Sequence, residues 1–239
     1  MRTFVTLWRR DTLALLRSSL AWGMLAVYGA FTGLMLLITL FAAEGTVQTL
    51  ATVFTRVVVL SLPAFTALAS MRSFAEERVN GTLETLLTAP VSDATVVLAK
   101  FGASLVLLVL ALAVATGGFV FYVESALPPP AYSRTGIAVA MVLLLLHGAL
   151  WTALGILAAL CSRHQTMAAA VGLLFTVPHA LIASGILPFV RTSSYLDSLS
   201  IGHTARGIID SRPIVLCLTL LPLVLFVAVR VLESRRWKL

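Results

Sequence analysis

Charged residues make up only 11% of this 239-residue chain, and just ten of them are acidic. With 59% hydrophobic residues and a mean hydropathy of +1.01, that scarcity places the chain among multi-span membrane proteins. Cysteine is scarce too. Cys161 and Cys217 stand far apart with no C-x-x-C, and His164 is the lone companion of Cys161, so neither a zinc site nor a disulfide framework is signalled. Both read as small apolar packing residues. No G-x-x-x-x-G-K-(S/T) loop is present to cradle the phosphates of ATP, and neither H-E-x-x-H nor G-x-S-x-G occurs. The N-terminus, MRTFVTLWRRDTLALLRSS, lacks the compact apolar core and small-residue cleavage site of a signal peptide, and is expected to stay in the mature protein. The net charge of +7 does not imply nucleic acid, because the basic residues sit beside apolar stretches, where they act as topology signals and lipid-surface anchors.

What the sequence does have is long apolar runs. They predict spans at 20–43, 47–71, 101–123, 136–161, 166–188 and 213–231, an all-α polytopic fold of six transmembrane helices forming a single transmembrane domain over 1–239. No length remains for a separate soluble domain. Six spans put both termini on one side. Arg2, Arg9, Arg10, Arg17, Arg72, Arg78, Lys100, Arg163, Arg230, Arg235, Arg236 and Lys238 then share a face, twelve of the 17 basic residues. Arg134, Arg191, Arg206 and Arg212 fall opposite, so the termini are assigned to the cytoplasm and the chain to a bacterial inner membrane.

Before the first span, residues 1–18 read as an amphipathic elbow lying in the membrane interface, with Phe4, Leu7, Trp8, Leu15 and Leu16 near helical spacing among arginines. An ordinary basic flank is the alternative. Opposite the termini, Pro128 to Pro130 stiffen one loop, while the longest, 190–212, has the apolar spacing of short helices dipping toward the membrane, or is a plain solvated loop.

Segment 72–98 is unlike the rest. Glu76, Glu77, Glu84 and Asp93 punctuate an apolar rhythm. Gly81 breaks one helix and Ala89-Pro90 ends the next, because glycine is costly and proline poorly tolerated inside helices. Thr82 caps the short piece, Glu84 favours its N-terminal dipole, and Leu83, Leu86 and Leu87 form an apolar knob. A further helix starts at Ser92 or Asp93 and runs through Val96 and Val97 into the third span. An apolar knob outside the bilayer wants a protein partner, which makes this a docking element; a solvated charged face is the alternative for the acidic pair.

MRSFAEERVNGTLETLLTAPVSDATVVLAK resembles the cytoplasmic segment of type-2 ABC exporter permeases, in particular the subfamily associated with gliding motility and nitrous-oxide-reductase maturation. Glu76, Glu77, Arg78, Gly81, Thr82, Leu83, Glu84, Leu86, Leu87, Pro90, Val91 and Ser92 carry the pattern, and HTARGIIDSRP, 203–213, adds a weaker likeness. The resemblance implies half of a translocation path, paired with a second permease copy or paralogue. It implies two cytoplasmic ABC ATPase subunits, which would hold the Mg-ATP, and leaves room for an extracytoplasmic accessory protein. The permease itself would be no enzyme and bind no cofactor or metal directly. By position, Thr82 to Ala89 would be the coupling helix, and Glu76, Glu77 and Arg78 would end a gate helix with ionic contacts to the ATPase.

Within the predicted spans, Arg56 is either an anchor snorkelling to the headgroups or a substrate contact, and His147 and His179 are either packing residues or part of the path. Pro178 and Pro222 are candidate kinks. Rival readings are a haem-exporter permease of cytochrome c maturation, a secondary transporter, and an intramembrane protease. The protease pattern E-E-x-x-x-R fails because Gly81 occupies the arginine position. The path would be lined by generic leucine, alanine, valine and threonine, which identify no substrate.

Overall fold

A long apolar segment in a bilayer must close its backbone hydrogen bonds within itself, and a helix does so. The computed structural model describes residues 2–42, 47–79, 81, 91–126, 134–162, 164–184 and 211–236. Its helices are α1 (Arg2–Arg17), α2 (Ser19–Ala42), α3 (Val47–Val79), α4 (Asp93–Ala126), α5 (Arg134–Cys161), α6 (Gln165–Ser184) and α7 (Arg212–Arg236), with no strand among the described residues. Six of them, α2 to α7, are long and apolar enough to cross a membrane. The protein is a multi-pass membrane protein of the all-α class.

Packing fixes which ends lie together. Phe74 near the end of α3, Val97 near the start of α4, Ile156 and Leu160 near the end of α5, and Ala228 and Leu232 in α7 share one buried cluster. That cluster lies at the termini-bearing end. At the far end Phe54 of α3 stacks on Phe119 of α4 at 4.5 Å. The apolar stretches of α3, α4 and α5 are 61%, 61% and 56% buried, against 28% for α2, 28% for α6 and 11% for α7, so the first three form the centre. α1 packs along α4, where the Trp8 indole covers Gly102 so closely that a Cβ there would lie 2.9 Å from Cδ1.

Small residues bring α3, α5 and α6 together. A Cβ on Gly155 of α5 would collide with Ser70 Oγ of α3, and one on Gly172 of α6 would sit 3.7 Å from the Gly155 Cα. Ser70 turns its hydroxyl back onto the Thr66 carbonyl at 2.6 Å, so no polar group is stranded in the contact. Gly155→Ala is expected to lower the unfolding midpoint in detergent, at a cost of about 1–3 kcal/mol of overpacking. Adding Ser70→Gly, which removes the obstructing side chain, should restore most of it. An unchanged midpoint in the single variant would show that the seam is looser than described.

α3, α4 and α7 each reach several residues beyond the predicted spans, α7 as far as Arg236. α3 continues past residue 71 to Val79, and Gly81 follows with a left-handed φ of 67°, the backbone that glycine accepts at no steric cost. α4 begins at Asp93, where a helix starting at Ser92 or Asp93 was expected, and Ser92 Oγ caps it by accepting a hydrogen bond from the Thr95 amide at 3.3 Å. Pro178 and Pro222 lie inside α6 and α7, and Pro63, which the sequence reading passed over, lies inside α3. The coupling piece 82–89 and the far-end loop 190–210 lie outside the described residues.

Candidate functional site: an ion cluster where three helices meet

α1 and α2 are separated by a tight break at Ser18, whose amide bonds back to the Leu15 carbonyl at 3.1 Å. Trp22 of α2 donates from Nε1 to the Leu16 carbonyl at 2.7 Å, and Arg72 of α3 donates to Ser18 Oγ at 3.3 Å. The break therefore holds α1 across the start of α4 and beside the end of α3.

Three helices then deliver charge to one spot. In α4 the buried stripe runs Asp93, Val96, Val97, Lys100, Ser104, the i, i+3, i+4 spacing of one helix face. Lys100 stands in that apolar stripe, and its side chain is only 6% exposed. Its Nζ donates to Glu77 Oε1 of α3 at 2.8 Å, lies 3.6 Å from Asp11 Oδ2 of α1, and sits 5.0 Å from the centre of the Phe74 ring. Arg10 completes the group. Its guanidinium reaches Asp11 Oδ1 at 2.8 Å and Glu77 Oε1 at 3.5 Å. Two cations and two carboxylates alternate, so each charge meets its opposite, which such a buried group requires.

This arrangement has no chemistry of its own: no nucleophile faces a base, and no open cradle awaits a phosphate. It ties α1 and α4 to α3 two residues before α3 ends, where the chain leaves for the 82–90 segment. Among the predicted docking residues, Glu77 is the one whose side chain is described. The side chains of Glu76 and Arg78, and all of Thr82, Leu83, Glu84, Leu86 and Leu87, lie outside the described residues. Sequence reasoning missed Lys100 and Asp11 as members. The signals were a lysine in register with Val96 and Val97, and one acid among the arginines of α1.

The intramembrane candidates fall elsewhere. Arg56 is half-buried in α3, next to Thr55. Thr55, Phe54, Thr116, Phe119, Ile137 and Met141 line a small apolar cleft between α3, α4 and α5. His147 and His179 do come together, across α5 and α6, with ring centres 5.4 Å apart. His147 Nδ1 lies 2.9 Å from the Leu143 carbonyl and so carries the proton toward it, while Trp151 Nε1 donates to His179 Nδ1 at 3.0 Å. Those two bonds set opposite tautomers, leaving a lone pair on His147 Nε2 and a proton on His179 Nε2. The pair thus presents one free ligand nitrogen rather than two, and no group of three His, Cys, Asp or Glu that could hold a metal occurs among the described residues. These rings join helices.

A family model described as ABC-2 family transporter protein matches residues 47–204, well over half of the chain. The match takes in α3 to α6 and the connecting 80–92 segment. Among curated proteins no match is found. The helical architecture and that match together make this chain a member of the ABC-2 transporter family, a membrane permease component of an ABC transporter.

Proposed function

We propose that this chain is one half of the translocation path of an ATP-driven exporter, docking a separate cytoplasmic ATPase through the segment that follows α3. The observation that carries this is the Arg10, Asp11, Glu77, Lys100 cluster: it binds α1, α3 and α4 to one another at the mouth of the predicted coupling helix. A push on that helix would reach three helices at once. In this reading two ATPase subunits bind Mg-ATP, close on each other, draw the coupling helices together and tilt two permease halves apart. The G-T-L-E-x-L-L stretch favours the gliding-motility and nitrous-oxide-reductase-maturation subfamily. The outward-turned apolar surfaces of α2 and α7, with Phe31, Leu34, Val215, Leu218 and Phe226 exposed, leave room for the second permease half as well as lipid.

Affinity purification of the tagged chain from its own membrane should recover a nucleotide-binding ATPase that hydrolyses ATP only in the complex. Hydrolysis by the purified chain alone would contradict the reading. Orientation has its own test. Cysteine placed at Thr85 should be labelled only from the cytoplasm and at Ser193 only from outside, in a background where the exposed Cys161 has been changed to serine. Reversed labelling would discard the docking assignment with the topology.

A further inference from the structure

α1 is more asymmetric than a helix that merely packs. At 3.6 residues per turn, Arg2, Arg9, Arg10 and Arg17 fall within an arc of about 100°, with Thr6 and Leu13 between them. The other side carries Trp8, Asp11, Thr12 and Leu15, which are part-buried toward α4. Arg9 and Arg17 are exposed, and the Arg10 side chain is 56% exposed even while it serves the ion cluster. Asp11, the one acid in the helix, lies on the packed side and is engaged by Arg10 and Lys100. The one carboxylate of the helix meets the arc through Arg10, and the arc as a whole stays net cationic.

Depth and apolarity decide what that arc meets. α1 ends at Arg17, one residue before a helix long and apolar enough to span the membrane, and the exposed Trp22 ties its last turn to that helix. Trp8 meets α4 at Gly102, within the stretch long and apolar enough to cross. The arc thus lies at the headgroup level of one leaflet. Val5 and Leu13, both exposed, flank or interrupt the arginines. An acidic protein surface would leave those side chains in water, whereas a lipid surface takes the arginine heads at its phosphates and the aliphatic groups among its upper chains.

We propose that the arginine arc of α1 binds the phosphates of anionic phospholipids in the leaflet where it lies. The inference does not depend on the ATPase reading, because it concerns the chain alone. The purified full-length chain in detergent is titrated with phosphatidylglycerol, with phosphatidylcholine as the neutral lipid and glycerol phosphate as the headgroup without chains, and bound lipid is counted by native mass spectrometry. Phosphatidylglycerol should be retained over phosphatidylcholine, and glycerol phosphate should not displace it. Arg9→Gln and Arg17→Gln, which lie outside the ion cluster, should each weaken phosphatidylglycerol roughly fivefold. Arg230→Gln, whose guanidinium pairs with Glu233 at 2.8 Å, should not. Undiminished phosphatidylglycerol binding in the Arg9→Gln/Arg17→Gln double variant overturns the proposal. So does a double variant that keeps its lipid but loses a copurifying protein, which would make the arc a protein surface.

Discussion

Leu86→Asp should leave the permease in the membrane at normal abundance and strip it of its ATPase. If Leu83, Leu86 and Leu87 seat in a groove of that subunit, the new carboxylate is buried without a partner, a penalty of several kcal/mol unless the interface opens or the group protonates. Even a net loss of about 2.8 kcal/mol weakens association a hundredfold. The segment follows the end of α3 and precedes α4, outside both candidate spans, so insertion should survive. The measurement compares size and yield of the permease in detergent with its recovery of the ATPase, and Ser133→Asp in the opposite loop serves as the control. Normal recovery and normal transport-coupled hydrolysis would remove 82–89 from the docking role.

Lys100→Met should be the most damaging change at the ion cluster. It leaves Glu77 and Asp11, 16% and 15% exposed, facing each other with Arg10 as their remaining cation in the group. Removing one partner from a buried group of charges costs about 3–5 kcal/mol, whereas neutralising the three buried members together, with only the largely exposed Arg10 left charged, avoids most of that cost. The triple variant Asp11→Asn/Glu77→Gln/Lys100→Met should therefore recover most of the stability that Lys100→Met loses, read as the unfolding midpoint in detergent. A single variant as stable as the parent would mean that the three helices are held by apolar packing alone. The triple variant should still couple poorly to ATP hydrolysis, because the ionic tie between α3 and its neighbours is gone.

Class and span number were legible because they depend on properties of single segments. Apolar runs of the right length leave a bilayer-embedded backbone no choice but helix, and Ser92, Gly81 and the prolines marked where helices begin, stop or bend. The cluster was not legible in this way. Asp11, Glu77 and Lys100 are far apart in the chain, and each alone looks like an ordinary charge near a membrane surface. Only the rotation of α1, α3 and α4 about their axes turns them toward one point, and Ser18 and the Trp8 to Gly102 contact set that rotation for α1. The same holds for Gly155. In an alanine- and leucine-rich span it resembles any tolerated glycine until Ser70 is found opposite it. His147 and His179 stood out as histidines within spans, but their approach and the Trp151 bond between helices depend on how α5 and α6 are rotated against each other.

The seam at Ser70 also divides α3 unequally. With 33 residues the helix is about 50 Å long. Ser70, pressed against Gly155, stands nine residues from one end and 23 from the other, roughly 14 Å and 35 Å along the axis. If the helix turns about that contact as one piece, it is a lever whose long arm points to the far side of the membrane. A small displacement at Val79, where the coupling segment departs, then returns as a movement about 2.5 times larger and opposite in direction at Val47. Pro63 lies on the long arm, so the stiffness of the helix at that residue sets how much of the stroke reaches the other side.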